Sequence, residues 1–266
     1  MQYGFFDYKY NIEGYAGQDF DNEMRYVYMI FCLVAVPLLA FLLRKVRHEK
    51  ITVTLRALAV FIFALEVVKL VWESYYDVTT GRGFNYGGIL PFDTCSMFTF
   101  LLPLAAFSRG RVRESALAWL ATIGLAGGLS NVLFLQALKW YPFWTFGAMF
   151  SMIFHFSMAF VALWIVTSGY LRFRPGHILY AYIPHFLFSV VVIALDYIFD
   201  WDYMLYRHAG GVPLMEGVAD RLNAAGYPWL TTGLMLLIYL AIAAMFAMLY
   251  TWLQPKKPVL RFTPSH

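Results

Sequence analysis

Charged residues are scarce in this chain. They make up 14% of its 266 residues, whereas 61% are hydrophobic. A typical soluble domain carries about 25% charged residues, so this composition excludes an ordinary soluble domain and indicates a membrane protein. The net charge of +4 does not indicate nucleic-acid binding, because the basic residues lie in separate loops rather than on one soluble face.

Cysteine is also rare, and neither a signal peptide nor an internal repeat is present. The two cysteines, Cys32 and Cys95, exclude a disulfide framework, and both fall within apolar runs. Residues 1–23 lack the basic and apolar regions of a signal peptide. They are aromatic and acidic, which is typical of a cap at the outer membrane interface. We therefore predict one domain over residues 1–266.

Long apolar runs dominate what remains. A bilayer crossing takes about 20 apolar residues. Seven such runs lie near residues 24–43, 53–76, 89–107, 115–137, 145–167, 178–199 and 229–253. The sequence therefore predicts an all-α, multi-pass protein of the cell membrane, built as a bundle of seven transmembrane helices.

The distribution of basic residues predicts the orientation of this bundle. Most lysines and arginines lie in the first, third and fifth connections and in the C-terminal tail. The positive-inside rule then places the N-terminus outside and the C-terminus in the cytoplasm. The longest outer loop covers residues 200–228, and the helical spacing of Leu214, Val218 and Leu222 predicts a short interfacial helix within it.

Several polar side chains lie inside the predicted spans, where one charge costs about 2.5–3.5 kcal/mol at the bilayer centre. Glu66, Lys69 and Glu73 share one helix face, as a self-neutralising ladder or as the wall of a cavity. His185 and Asp196 are eleven residues apart and also share a face. The remaining candidates are Asp202 beyond the sixth span, a packing face at Gly124 and Gly128, and Asn131, which fits either a cavity or the interface.

Cys95 and His155 are a candidate nucleophile and base. Pro91 suits the first position of a helix, which would place Cys95 in the opening turns, where the helix dipole favours a thiolate. On a regular helix Asp93 would point away from Cys95. His155 enters its span from the same side and to a similar depth. Cysteine and histidine, with a carboxylate such as Asp93 or Asp196 to orient the imidazole, suffice for acyl transfer through a thioester.

Four motifs occur in the order of a known family: LPFDTC at 90–95, GLAGGLSNVLF at 124–134, FHFSM around His155 and DYMLYR at 202–207. In these motifs the chain resembles the YwaF-type bacterial multi-pass membrane proteins, which are related to the transmembrane phospholipid acyltransferases. The resemblance implies a seven-helix enzyme fold with Cys95 and His155 as its catalytic pair. Asp93 departs from a family histidine, and Asp196 and Asp202 depart from expected asparagines, which makes the outer cavity more acidic.

Two functions follow as hypotheses. The first is a lipid-directed acyltransferase or esterase that uses Cys95 and His155 on phospholipid or fatty acyl substrates. The alternative is a seven-helix transporter or small-molecule sensor with an acidic, outward-opening polar cavity. Its candidate lining residues are Glu66, Lys69, Asp93, His185, Asp196 and Asp202. We predict no cofactor and no metal ion, and the sequence leaves the acyl donor, the acceptor and the oligomeric state open.

Overall fold

The computed structural model describes residues 3–9, 12, 23–81, 83–84, 86–133, 141–208 and 213–254. Within these ranges every regular element is a helix, so the predicted all-α class is confirmed. The helices are α1 (Met24–Leu42), α2 (His48–Thr79), α3 (Tyr86–Ile89), α4 (Met97–Phe107), α5 (Gly110–Trp119), α6 (Leu125–Leu133), α7 (Phe146–Thr167), α8 (His177–Phe199), α9 (Pro213–Ala224) and α10 (Pro228–Leu253). A π-helical segment, Leu120–Gly124, joins α5 to α6.

Among the described residues, six helical stretches are long and apolar enough to cross a membrane. They are α1, α2, the continuous α5–α6 helix, α7, α8 and α10. The predicted span over 89–107 is not one helix, because Pro91 lacks an N–H and the Phe92 N–H turns back to the Leu90 carbonyl. Its helical part, α4, has 11 residues. At 1.5 Å per residue it rises about 16 Å, roughly half of a 30 Å hydrocarbon core.

The long helices bury one face and expose apolar side chains on the other. In α1 the buried residues Tyr28, Cys32, Val36 and Ala40 recur every four positions, while Ile30 on another face is 59% exposed. Exposure of large apolar residues along a whole helix is what contact with lipid requires, since hydrocarbon solvates these side chains as well as a protein core does.

Hydrogen bonds show which helix ends lie together. Arg113, near the start of α5, donates to Thr52 near the start of α2 and to the Tyr170 hydroxyl just after α7. Glu114 and His177 join the starts of α5 and α8 at 2.8 Å. The starts of α2, α5 and α8 and the end of α7 therefore form one end of the bundle, the Arg113 end.

The opposite end, the Cys95 end, contains the starts of α1, α7 and α10 and the end of α8. The Tyr28 hydroxyl donates to the Met152 carbonyl at 2.8 Å, and the Thr232 hydroxyl donates to the Tyr206 carbonyl at 2.9 Å. Helix α2 runs away from the Arg113 end and α5 starts at it. Helix α4, which packs against both α2 and α5, carries the chain back between the two ends.

Some predicted features fall partly outside the described residues. Most of the N-terminal cap over residues 1–23 and the last part of the fourth predicted span, 134–137, lie there. The short helix predicted within the loop over 200–228 is present as α9.

Candidate active site

A cavity of about 480 Å³ lies among α2, the irregular segment 90–96, α6, α7 and α10. Six of the side chains singled out from the sequence line it: Glu66, Lys69, Asp93, Cys95, Asn131 and His155. Its other polar lining residues are Thr94, Ser96, Ser130 and Tyr239. The fold thus collects titratable and nucleophilic groups from separate parts of the chain around one space.

Cys95 lies in the turn before α4. The prediction that it belongs to a helix beginning at Pro91 was wrong, because the helix begins at Met97. The Cys95 carbonyl accepts a hydrogen bond from the Phe98 N–H at 2.9 Å. The thiol sulfur lies 3.8 Å from the carbonyl oxygen of Gly127 in α6. The positive end of the α4 dipole still faces this residue.

His155 reaches the cavity from α7, and it is 8% exposed. Its Nδ1 lies 2.7 Å from the Ser151 carbonyl oxygen. Because a carbonyl can only accept, this contact assigns the proton to Nδ1 and leaves the lone pair on Nε2. The group that orients the imidazole is thus a backbone carbonyl one turn earlier, where the sequence had suggested a carboxylate.

Two adjacent glycines in α6 lie against Cys95 and against the backbone of α7. A Cβ on Gly127 would lie 3.3 Å from the Cys95 sulfur. A Cβ on Gly128 would lie 3.3 Å from the His155 carbonyl oxygen and 3.1 Å from the Ala159 nitrogen. Because neither position has a side chain, the Cys95 thiol and the α7 backbone can both approach α6 closely. The predicted packing role of Gly128 is confirmed.

The π-helical segment 120–124 precedes these glycines. A π turn inserts residues into the helical repeat, and such turns are frequent at functional sites. Here the Ala121 carbonyl accepts a hydrogen bond from the Tyr250 hydroxyl of α10 at 3.1 Å. One turn beyond Gly127, Asn131 lies in the cavity wall, and its Oδ1 is buried without a hydrogen-bond partner among the described residues.

Glu66, Lys69 and Glu73 form the predicted ladder along α2. The Lys69 Nζ lies 3.3 Å from Glu66 Oε1 and 3.4 Å from Glu73 Oε2. Glu66 and Lys69 also line the cavity, whereas Glu73 does not. The sequence suggested either a self-neutralising ladder or a cavity wall. Both descriptions apply, because the ladder supplies one wall of the cavity.

Asp93 shares the cavity with Cys95, although a regular helix would have turned it away. The backbone over 90–96 is irregular, so the two-residue spacing does not separate the side chains as the helical repeat predicts. Thr94 lies between them, and its hydroxyl is 2.6 Å from the Tyr239 hydroxyl. Tyr239 also donates to the Met204 carbonyl at 3.4 Å, which ties α10 to the loop after α8.

Asp196 and Asp202 lie outside the cavity lining and bind the loop that follows α8. Asp196 Oδ1 accepts from the Tyr203 N–H at 3.0 Å. Asp202 Oδ1 accepts from the N–H groups of Arg207 and His208 at 2.7 and 3.0 Å. Their position corrects the expectation that both carboxylates face the cavity directly.

The loop held in this way closes one side of the cavity. Met204 and Leu205 line it with φ angles of 54° and 64°, a left-handed conformation that is costly for residues other than glycine. The Arg207 side chain donates to Asp200 at 2.6 Å and to the Asp196 carbonyl at 3.1 Å. Hydrogen bonding to Arg207 and its positive charge lower the pKa of Asp200.

His185 lies behind the cavity wall rather than in it. The side chain is fully buried, and its Nδ1 accepts a hydrogen bond from Trp119 Nε1 at 3.4 Å. Its ring centroid is 4.2 Å from that of Tyr239, which does line the cavity. His185 therefore packs against Tyr239 and does not contact Cys95 or His155.

Thr94 and Tyr239 carried no sequence signal, because the chain has 19 tyrosines and hydroxyl residues are common in its spans. Within the described ranges, no three His, Cys, Asp or Glu residues are grouped so that they could hold a metal ion. The cavity offers a thiol, an imidazole with an available Nε2, an amide and several hydroxyls. This set of groups suits acyl transfer.

Comparison with known proteins gives one match. Residues 20–254 match the model described as the TMEM164 family. The match contradicts the resemblance to the YwaF-type proteins, and the support that this resemblance gave to acyltransferase chemistry is withdrawn with it. No curated protein and no solved structure matches the chain.

Proposed function

The chain belongs to the TMEM164 family, and from the groups that line its cavity we propose that it is a membrane-embedded, lipid-directed acyltransferase or esterase working through a thioester on Cys95. One observation carries the proposal: Cys95 and His155 line one cavity. A thiol and an imidazole whose Nε2 keeps its lone pair are the two groups that covalent acyl transfer requires.

In the first step, His155 Nε2 takes the Cys95 proton and the sulfur attacks the ester carbonyl of a lipid. The carbon–sulfur bond forms, and the carbonyl electron pair moves onto oxygen. When the tetrahedral intermediate collapses, the carbon–oxygen bond breaks and the alcohol leaves with the proton returned by His155. Asn131, Thr94 and Ser96 line the same space and are the candidate donors to the oxyanion.

In the second step, an acceptor hydroxyl gives its proton to His155 and attacks the thioester carbonyl. The acyl group leaves sulfur for oxygen, and the Cys95 thiol is restored. A lipid alcohol as acceptor makes the protein an acyltransferase, and water makes it an esterase. The membrane supplies a phospholipid or fatty acyl substrate to a cavity with both polar and apolar walls.

We place the Cys95 end outside the cell membrane and the Arg113 end in the cytoplasm. Helix α4, together with the 90–96 segment, is then a short third crossing, which brings the total to seven. Two observations support this topology. The chain passes between the two ends over residues 79–110, and arginines cluster at the Arg113 end, at Arg109, Arg111 and Arg113.

Transport or sensing of a small solute is the second candidate. It is favoured by the charged cavity wall, where Asp93 is exposed beside Glu66 and Lys69. The cation of Lys69 is already shared between Glu66 and Glu73, so Asp93 is the charge most available to a solute. A transporter of this kind would function with alanine at position 95.

Acyl labelling of the purified protein tests the proposal. The protein in detergent is incubated with a phospholipid that carries an alkyne-tagged acyl chain, and adduct sensitive to neutral hydroxylamine is measured. We expect adduct on the wild type, none on Cys95→Ala and at least a hundredfold slower labelling of His155→Ala, since general base catalysis contributes about 10²–10⁴-fold.

Cys32→Ser is the matched control, because Cys32 is buried in α1 and does not line the cavity. It should label like the wild type. Equal labelling of folded Cys95→Ala and wild type, or no labelling of folded wild type, would contradict the thioester. In the second case, pH-dependent solute flux in proteoliposomes would favour the transporter.

A further inference from the structure

We propose that a second pocket, at the Arg113 end, binds a phosphate group. The phosphate belongs either to the headgroup of an anionic membrane lipid or to a soluble phosphate compound. This site lies at the opposite end of the bundle from the Cys95 cavity, so the inference does not depend on the thioester chemistry.

The pocket has a volume of about 510 Å³ and lies between the starts of α2 and α5 and the end of α7. Its polar side chains are His48, Glu49, Thr52, Arg113, Glu114 and Tyr170. Leu117 and Leu171 close it on the side of the bundle core. The size and the mixture of donors suit a phosphate with part of the molecule that carries it.

Arg113 is the group that recognises the anion. Its Nη2 donates to the hydroxyls of Thr52, at 3.3 Å, and Tyr170, and its guanidinium lies 5.2 Å from the centre of the Tyr170 ring. Both hydroxyls are neutral. In the described part of the chain, no carboxylate lies within salt-bridge distance of this guanidinium. A half-buried guanidinium that is held by two hydroxyls and forms no ion pair can bind an anion, and its planar donors match phosphate oxygens.

The two acids of the pocket already have partners. Glu114 Oε1 accepts from His177 Nε2 at 2.8 Å, because His177 Nδ1 is itself the acceptor for the Arg174 N–H. Glu49 Oε2 pairs with Arg47 Nε at 3.3 Å. Neither carboxylate forms an ion pair with Arg113.

The surroundings of the pocket strengthen the positive field. The connections before α2, before α5 and before α8 carry Arg44, Lys45, Arg47, Arg109, Arg172 and Arg174. A phosphate at the membrane surface is drawn towards such a cluster, and Arg113 supplies the directed contact within it.

Thermal unfolding of the purified protein in micelles measures this binding. The probes are dioctanoyl phosphatidylglycerol, dioctanoyl phosphatidylcholine as the zwitterionic control, and inorganic phosphate against chloride at equal ionic strength. We expect a saturable rise of Tm with the anionic lipid or with phosphate. Stabilisation by phosphate, or competition of phosphate with the lipid, identifies a soluble source, and stabilisation by the lipid alone identifies a headgroup.

Arg113→Gln should weaken the apparent affinity by at least about tenfold, since a hydrogen bond to a charged group contributes about 1.5–3 kcal/mol. Arg111→Gln removes the same charge from an exposed position that does not line the pocket, and it should lower the affinity much less than Arg113→Gln does. If both variants lost the same amount of affinity, binding would depend on general charge attraction, and the proposed site would be wrong. If Arg113→Gln does not fold, Arg113→Lys keeps the charge and should bind more weakly. Absence of saturable stabilisation of the wild type by any probe also overturns the site.

Discussion

At the scale of single residues, the neighbouring glycines Gly127 and Gly128 pack against different kinds of atoms. A methyl group on Gly127 would meet the ends of two side chains, the Cys95 sulfur at 3.3 Å and the Met158 Cε at 3.2 Å. A methyl group on Gly128 would meet the backbone of α7, at Ala159 N. Side-chain ends can move a few tenths of an ångström, whereas a helix backbone can do so only by shifting the whole helix.

Gly127→Ala and Gly128→Ala are therefore expected to separate activity from stability. Gly127→Ala displaces the thiol and should slow the labelling of Cys95 by about tenfold or more, since small misplacements of reacting groups are costly. Gly128→Ala pushes α6 away from α7 and should lower stability by about 1–3 kcal/mol. Acyl labelling and thermal unfolding measure the two effects.

Comparing the labelling rate and Tm of the two variants shows whether Gly127 affects the chemistry or only the packing. If Gly127→Ala lowered Tm as much as Gly128→Ala while folded protein labelled at the normal rate, Gly127 would be a packing residue only. The contact between Gly127 and Cys95 would then have no bearing on the chemistry.

At the scale of elements, the π-helical segment 120–124 determines which face α6 turns to the cavity. The Ala121 carbonyl in this segment accepts a hydrogen bond from another helix, donated by the Tyr250 hydroxyl of α10. A buried hydrogen bond from a neighbouring helix favours the turn that presents its acceptor. Tyr250 is therefore expected to stabilise the turn from outside.

Tyr250→Phe should destabilise the protein by about 0.5–1.5 kcal/mol, because it removes a buried hydrogen bond to the Ala121 carbonyl. Acyl labelling should fall as well, since Gly127 and Asn131 lie downstream of the turn. Tyr75→Phe removes the same hydroxyl from a side chain that is 62% exposed, and it should change neither quantity. Unchanged Tm in Tyr250→Phe would show that water replaces the tyrosine.

At the scale of the whole molecule, the two ends of the bundle differ in charge and in chemistry. Asp200 lies beyond α8 at the Cys95 end, with a side chain that is 86% exposed. Arg111 is exposed in the first turn of α5 at the Arg113 end. If the chain crosses the membrane as proposed, these two positions face different compartments.

Single-cysteine variants test this topology in a background of Cys32→Ser and Cys95→Ser. A membrane-impermeant maleimide should label Asp200→Cys on intact cells and Arg111→Cys only after permeabilisation. The reverse pattern would invert the orientation. Labelling of both positions from the same side would mean that α4 does not complete a crossing.

Helical periodicity and charge predicted most of the fold and part of the site. The depth argument grouped Cys95 with His155, and the four-residue spacing in α2 predicted the ladder at Lys69. The same argument failed where the chain leaves the helix. At Pro91 the backbone becomes irregular, so no helical repeat could show that Asp93 and Cys95 share one cavity.

Other parts of the site depend on contacts between distant segments, which a single sequence does not encode locally. The position of the Asp196 and Asp202 carboxylates near the end of a span predicts that they line the cavity. In the structure they accept hydrogen bonds from the backbone N–H groups of Tyr203, Arg207 and His208, which only the folded loop brings within reach.

The shortness of α4 has a consequence for any lipid that reaches Cys95. If the chain crosses the membrane as proposed, α4 with its 11 residues and rise of about 16 Å is too short to cross a hydrocarbon core about 30 Å thick, so the sulfur lies below the outer edge of that core. The ester bonds of a resting phospholipid lie at that edge. A substrate must then sink below the edge to reach the thiol, and its polar headgroup must follow. The charged and hydroxyl-bearing wall at Glu66, Lys69 and Asn131 supplies the polar lining along which such a descent can occur.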